Sequence, residues 1–135
     1  MTSVLVPIRY PLSEFSKTTL RAAARRAREA DADLVVLHVV PYHATGDVTR
    51  RELKRAAERV VGRLPRARYL VRSGLLVEET ILEEVAAENA DVVVIGKSQA
   101  GRWRRILRRI ADDPDVERYL RRELDCEVLT IAEAG

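Results

Sequence analysis

The chain has 135 residues, 47% apolar and 33% charged, with a formal net charge of +3 and a single cysteine. That size and balance fit one folded domain, 1–135, burying about two-thirds of the surface its unfolded form would expose, and exclude a disordered or collagen-like polymer. No apolar run approaches the ~20 residues of a membrane span, the N-terminus has no signal-peptide pattern, and the lone Cys126 has no second thiol for a disulfide or redox pair, so a cytoplasmic location is expected.

The charge is unevenly placed. Residues 97–110 hold six cations and no acid, whereas residues 78–91 hold six acids and no base. Arginine outnumbers lysine 21 to 3, which with the many alanines reads as compositional bias, and nucleic acid is not expected as a partner.

In chain order, Ser3 to Ile8 is a short β-branched apolar run of the kind buried on both faces of a parallel sheet. Ser13 is a suitable N-cap for a helix to about Ala30, with Leu20, Ala23, Ala24 and Ala27 inward and Arg21, Arg25 and Arg28 outward. Leu34 to Val40 is a second buried strand, closed by Pro41, and its His38 is expected to satisfy its imidazole on a backbone group rather than take part in catalysis. Tyr42 to Asp47 is a loop. Thr49 and Glu52 form a capping box for a helix whose apolar face is Leu53, Ala56, Ala57, Val60, Val61 and Leu64, ended by Pro65.

Arg68 to Arg72 is a third strand, with Ser73-Gly74 as its turn. An acidic helix follows from about Val77 to Asn89, with Ile81, Leu82 and Val85 inward. Its paired glutamates point ~100° apart on a polar face and are expected to be solvated rather than to act as acid and base. Asp91 to Gly96 is the fourth strand. In the basic stretch, Trp103, Ile106, Leu107 and Ile110 recur at helical spacing, opposite the arginines. Asp112-Asp113-Pro114-Asp115 starts another helix, with Val116, Tyr119, Leu120 and Leu124 inward. Glu127 to Ala132 is the fifth strand. Strands alternating with helices over short connections argue a three-layer α/β sandwich with a mainly parallel sheet. No internal repeat or linker stands out.

Taken together, Val4 to Ile8 (VLVPI), Ser13 to Ser16 (SEFS), Leu34 to Val40 (LVVLHVV), Ala90 to Gly96 (ADVVVIG) and Cys126 to Ile131 (CEVLTI) resemble the universal stress protein family over essentially the whole chain. The resemblance implies a Rossmann-like α/β/α sheet of order 3-2-1-4-5 and frequent homodimers. In one subgroup it also implies an adenine nucleotide at the carboxyl ends of strands one and four. The positions it marks for ligand contact are Pro7, Ile8, Arg9, Val39, Gly96, Lys97, Ser98, Gln99 and Gly101. For an edge-to-edge dimer it marks Val128, Leu129, Thr130 and Ile131. No metal site is expected.

The framework is kept but the nucleotide ligands are not. Family members that bind ATP carry an aspartate where this chain has Arg9, and a guanidinium, with donors only, cannot replace that acceptor. The family's phosphate motif, Gly-x2-Gly-x9-Gly-Ser/Thr, is met only by Gly96. Gln99 holds its second position, and Arg109-Ile110, or on a second alignment Pro114-Asp115, holds its end. A carboxylate there would repel phosphate, and Pro114 has no N–H to offer. Gly101 is the one residue left to supply a displaced turn.

Two functions follow from this reading. One is a non-enzymatic, dimeric stress-response protein that acts through an unknown protein partner, its nucleotide site decayed and no cofactor required. The alternative is a sensor that holds ATP, another adenine nucleotide or another small anion between strands one and four. Enzymatic function is not expected, because the chain has no Walker A loop, no SGG-x-DS loop and no nucleophile spaced beside a base.

Overall fold

The computed structural model describes residues 2–42, 48–75, 77–97, 99–103 and 126–131. Its elements are β1 (Ser3–Pro7), α1 (Glu14–Glu29), β2 (Asp33–Pro41), α2 (Arg50–Val61), β3 (Ala67–Gly74), α3 (Val77–Ala87), β4 (Val92–Gly96) and β5 (Glu127–Ile131). The five strands form one parallel sheet in the order β3-β2-β1-β4-β5, as the resemblance implies. Residues 97 and 99–103 are helical and follow β4 without an intervening loop. Ser98, loop residues 43–47, Ile106, Leu107, Ile110, the helix expected from Asp112 and Ala132 lie outside the described residues.

Alternation along each strand divides the core into two halves, one on each face of the sheet. Val4, Val6, Leu34, Val36, Val92 and Val94 pack with Leu20, Ala23, Ala24, Leu53 and Ala57 of α1 and α2. Leu5, Val35, Leu37, Val93 and Ile95 pack with Ile81, Leu82 and Val85 of α3 and with Trp103. The small residues of α1 are buried, so that helix lies close to the central strands, while Arg21, Arg25 and Arg28 are exposed as the pattern requires.

Local chemistry sets the helix ends. Ser13 Oγ accepts from Ser16 N–H at 3.1 Å, and the Thr49–Glu52 capping box is complete in both directions. At the other end α2 stops at Val61, earlier than Pro65 suggests, because Gly62, its N–H still bonded to Glu58 O at 2.9 Å, takes φ 78°, a backbone conformation that residues with side chains rarely adopt. α1 and α3 share one ending. Asp31 and Asn89 adopt φ of 51° and 50°, and the next residues close back on the helix, Ala32 N–H to Ala27 O at 2.8 Å and Ala90 N–H to Val85 O at 3.1 Å. The sequences Asp31-Ala32-Asp33 and Asn89-Ala90-Asp91 are thus one local device used twice, feeding β2 and β4 into the two sides of β1.

Ser73 and Gly74 do not form a turn. β3 continues through both, because its eight residues pair in register with β2 from Leu34↔Ala67 to Pro41↔Gly74. Gly74 is buried, and a Cβ there would lie 1.8 Å from Thr80 Oγ1, so a glycine is needed for close approach of β3 to α3 and not for a bend.

Candidate functional site

From β1 the chain crosses to β2 and β3 on one side of the sheet, then returns to β4 and β5 on the other. The connections leaving the carboxyl ends of β1 and β4 therefore diverge, and a crevice at that switch point is where parallel α/β sheets hold ligands.

On the β1 side the backbone is already committed. Ile8 N–H donates to Leu37 O at 2.8 Å, and Ile8 O lies 3.1 Å from His38 Nδ1. A carbonyl only accepts, so Nδ1 carries the imidazole proton, and His38 is satisfied by a backbone group as its sequence setting suggests. The Tyr10 ring lies tilted near this imidazole, with centroids 6.2 Å apart. Arg9 N–H donates to Ser16 Oγ at 3.1 Å, so the end of β1 is tied to the first turn of α1. Pro7 and Ile8 are buried, and Arg9 extends into solvent. What this strand end offers a ligand is therefore a guanidinium.

On the β4 side Gly96 is buried and pairs with Ile131, and Lys97 is exposed at the first helical position. Gln99 is half-buried. Gly101 lies inside the helical segment with nothing within 4 Å of a Cβ built on it, so it supplies neither a turn nor a close approach. Val4 pairs with Val92 and Leu5 with Val93, and beyond the ends of these two strands the chain carries Arg9 and Lys97, both exposed. The mouth between β1 and β4 thus has a cation next in sequence on each side and, after β4, the start of a helix, groups that favour anions. Val39 is set back from it, buried in the half-core on the α3 side. Ser98 and the Pro114-Asp115 and Arg109-Ile110 positions lie outside the described residues.

Trp103, in this helical segment, is fully buried, and its Nε1–H has no hydrogen-bond partner among the described residues. Next to it Arg102 Nε donates to Glu78 Oε1 at 2.8 Å. The acidic helix is thus less solvated than its sequence suggests. Glu84 meets Arg72 at 3.0 Å and Glu88 meets Arg68 at 2.5 Å, each carboxylate more enclosed than its arginine. Among the described residues no three His, Cys, Asp or Glu side chains cluster as metal ligands.

Two participants were not singled out from the sequence, Ser16 and Tyr10. The Ser13–Ser16 spacing contains the N-cap signal, but the second hydroxyl's bond to Arg9 needs the strand end to be in place. Also unforeseen are the exposed Tyr42 and Leu75, at 69% and 70% of full exposure, beyond the carboxyl ends of β2 and β3.

Among the described residues β5 is an edge strand, paired with β4 on one side only. Val128 packs toward the α3 half-core and Leu129 and Ile131 toward the α1/α2 half, each half-buried, while Thr130 is exposed. Glu127 pairs with Arg26 of α1 at 2.9 Å, which fixes the strand against that helix.

The chain resembles solved structures over nearly its full length. A universal stress protein from Burkholderia pseudomallei shares 22% identity and a TM-score of 0.64, covering 96% of this chain and 95% of its own. One from Archaeoglobus fulgidus in complex with dAMP shares 17% at a TM-score of 0.61, covering 97% and 98%. Another universal stress protein, in complex with cAMP, shares 15% at a TM-score of 0.57, covering 98% of both chains. At these identities the likeness speaks for the fold. No curated protein matches the chain. Residues 1–132 match the model of the universal stress protein family, whose sheet order and connectivity are those described above. The chain belongs to the universal stress protein family.

Proposed function

We propose that this chain is a non-enzymatic universal stress protein that works as a homodimer through protein contacts, its adenine-nucleotide site lost. The observation that carries the reading is the end of β1, where Ile8 N–H, Ile8 O and Arg9 N–H are all engaged within the fold and the remaining group, the Arg9 guanidinium, can only donate. An aspartate acceptor at that position belongs to the ATP-binding pattern. The relatives with cAMP and dAMP are the reason to test the loss directly. His38, the nearest potential base, has its Nδ1 occupied by Ile8 O, which supports a role outside catalysis. A reducing, cytoplasmic setting goes with this reading, since the sequence holds a single cysteine, Cys126, and it is buried; among the described residues no helix is long and apolar enough to cross a membrane.

The test is thermal shift and calorimetry with millimolar ATP, ADP, AMP, cAMP and dAMP, with and without Mg2+. A ligand at a hundred times its dissociation constant stabilises a fold by about 2.7 kcal/mol, a shift of several degrees at this size. No saturable response in the micromolar range is expected. A micromolar ATP response abolished by Gly96→Val would overturn the reading.

The exposed Arg9 and Lys97, which follow the ends of the neighbouring strands β1 and β4, favour a second reading, an anion sensor using the same mouth. Its mark is a response to non-nucleotide anions that disappears in Arg9→Ala.

A further inference from the structure

The sequence draws attention to the basic stretch after β4, most of which lies outside the described residues, yet among the described residues the opposite, α1–α2 layer carries a group of cations without carboxylate partners. α1 and α2 together hold ten cations and four acids, whereas α3 holds four acids and no base. On the α3 side, arginines from β3 and from the helical segment after β4 neutralise Glu78, Glu84 and Glu88. On the other side, Arg51, Arg55 and Arg59 of α2 and Arg21, Arg25 and Arg28 of α1 are all exposed, and among the described residues none meets a carboxylate within ion-pair distance. The two helices are neighbours, since Arg28 Nη2 donates to Val61 O at 3.3 Å.

We infer that the outer face of the α1–α2 layer binds the sugar-phosphate backbone of nucleic acid without reading its sequence. Arg51, Arg55 and Arg59 recur every four residues, a rise of about 6 Å, so three guanidinium groups follow one stripe of the helix and can meet a row of phosphates. Guanidinium groups bind phosphate oxygens in pairs. The stripes lack an apolar anchor. Among the described residues the exposed large apolar side chains are Tyr42 and Leu75, at the carboxyl edge of the sheet, and Phe15, in the first turn of α1. A folded protein partner, or insertion of a helix into a bilayer, would need such an anchor within the basic face, and a polyphosphate would not.

The test is fluorescence anisotropy of the full chain with labelled random-sequence 30-mers, as duplex DNA and as RNA, between 50 and 200 mM KCl. Neutralising about five phosphates gives a log–log salt slope near −4.5, a roughly 500-fold loss of affinity across that range. The Arg51→Gln, Arg55→Gln, Arg59→Gln variant should flatten the slope by about 2.7, roughly 0.9 for each lost contact. A control with the same charge change, Arg66→Gln, Arg68→Gln, Arg72→Gln, removes arginines that are ion-paired and should leave the slope as it was. Circular dichroism verifies that both are folded. No binding at 50 mM KCl, equal losses in the two variants, or binding confined to phosphatidylserine vesicles would each overturn the inference.

Discussion

Gly74→Ala tests how β3 is locked to α3. A Cβ at this position would lie 1.8 Å from Thr80 Oγ1, 2.9 Å from Thr80 Cβ and 3.2 Å from Cγ2, in a buried site where strand and helix must move apart to admit it. Overpacking of this kind costs about 1 to 3 kcal/mol, and with a near-direct overlap the upper half of that range applies. Restricting the unfolded chain returns roughly 0.4 to 1 kcal/mol, so a net loss of about 1 to 2.6 kcal/mol is expected. At this chain length that lowers the melting midpoint by roughly 3 to 12 °C. Thr80→Ala removes Oγ1 and Cγ2, leaving the 2.9 Å approach to its Cβ, which a small shift relieves. The double variant should therefore recover most of the loss, a coupling of about 1 kcal/mol or more. Urea unfolding followed by the fluorescence of the single, buried Trp103 measures all four proteins. A Gly74→Ala variant within about 0.5 kcal/mol of the parent, or strict additivity of the two changes, would refute the close-approach argument.

Three further outcomes are expected. Burial, and secondarily the Glu58 carboxylate, raise the Tyr69 phenol above its ordinary value. Its stabilising contribution is full below about pH 10, the unfolded value, and is lost as pH rises through the higher folded value; urea titrations from pH 8 to 11 should show a shallower decline for Tyr69→Phe, and superimposable slopes would count against it. The edge position of β5 predicts a dimer by light scattering at tens of micromolar that Leu129→Pro and Thr130→Lys both convert to monomer, whereas a parent of monomeric mass contradicts strand pairing. Gly101→Ala should raise stability by about 0.5 to 1 kcal/mol, since the residue is helical and its Cβ meets nothing; an anion response weakened by this change would show that a ligand approaches the backbone there after all.

Features that depend only on neighbours along the chain are legible in the sequence. The capping box at Thr49 and Glu52, the N-cap at Ser13 and the alanine face of α1 are each set by residues a turn or two apart, and the buried runs at Val4, Leu34 and Val92 follow from apolar continuity alone. Assembled in order, they carried the family resemblance and with it the sheet order. Tertiary structure decided what depends on partners far apart in the chain. Whether Gly74 bends a turn or admits Thr80 depends on how close α3 comes, and whether Glu84 is solvated depends on Arg72 of a neighbouring strand. The saturation of Ile8 and Arg9 likewise needs His38 and Ser16 brought to the end of β1. The division of charge between the two helical layers has the same origin. Local sequence states which residues are cationic, but only the packing of the chain pairs Arg68, Arg72 and Arg102 with acids and leaves Arg51, Arg55 and Arg59 facing water, because an ion pair is a matter of distance through space and not of distance along the chain.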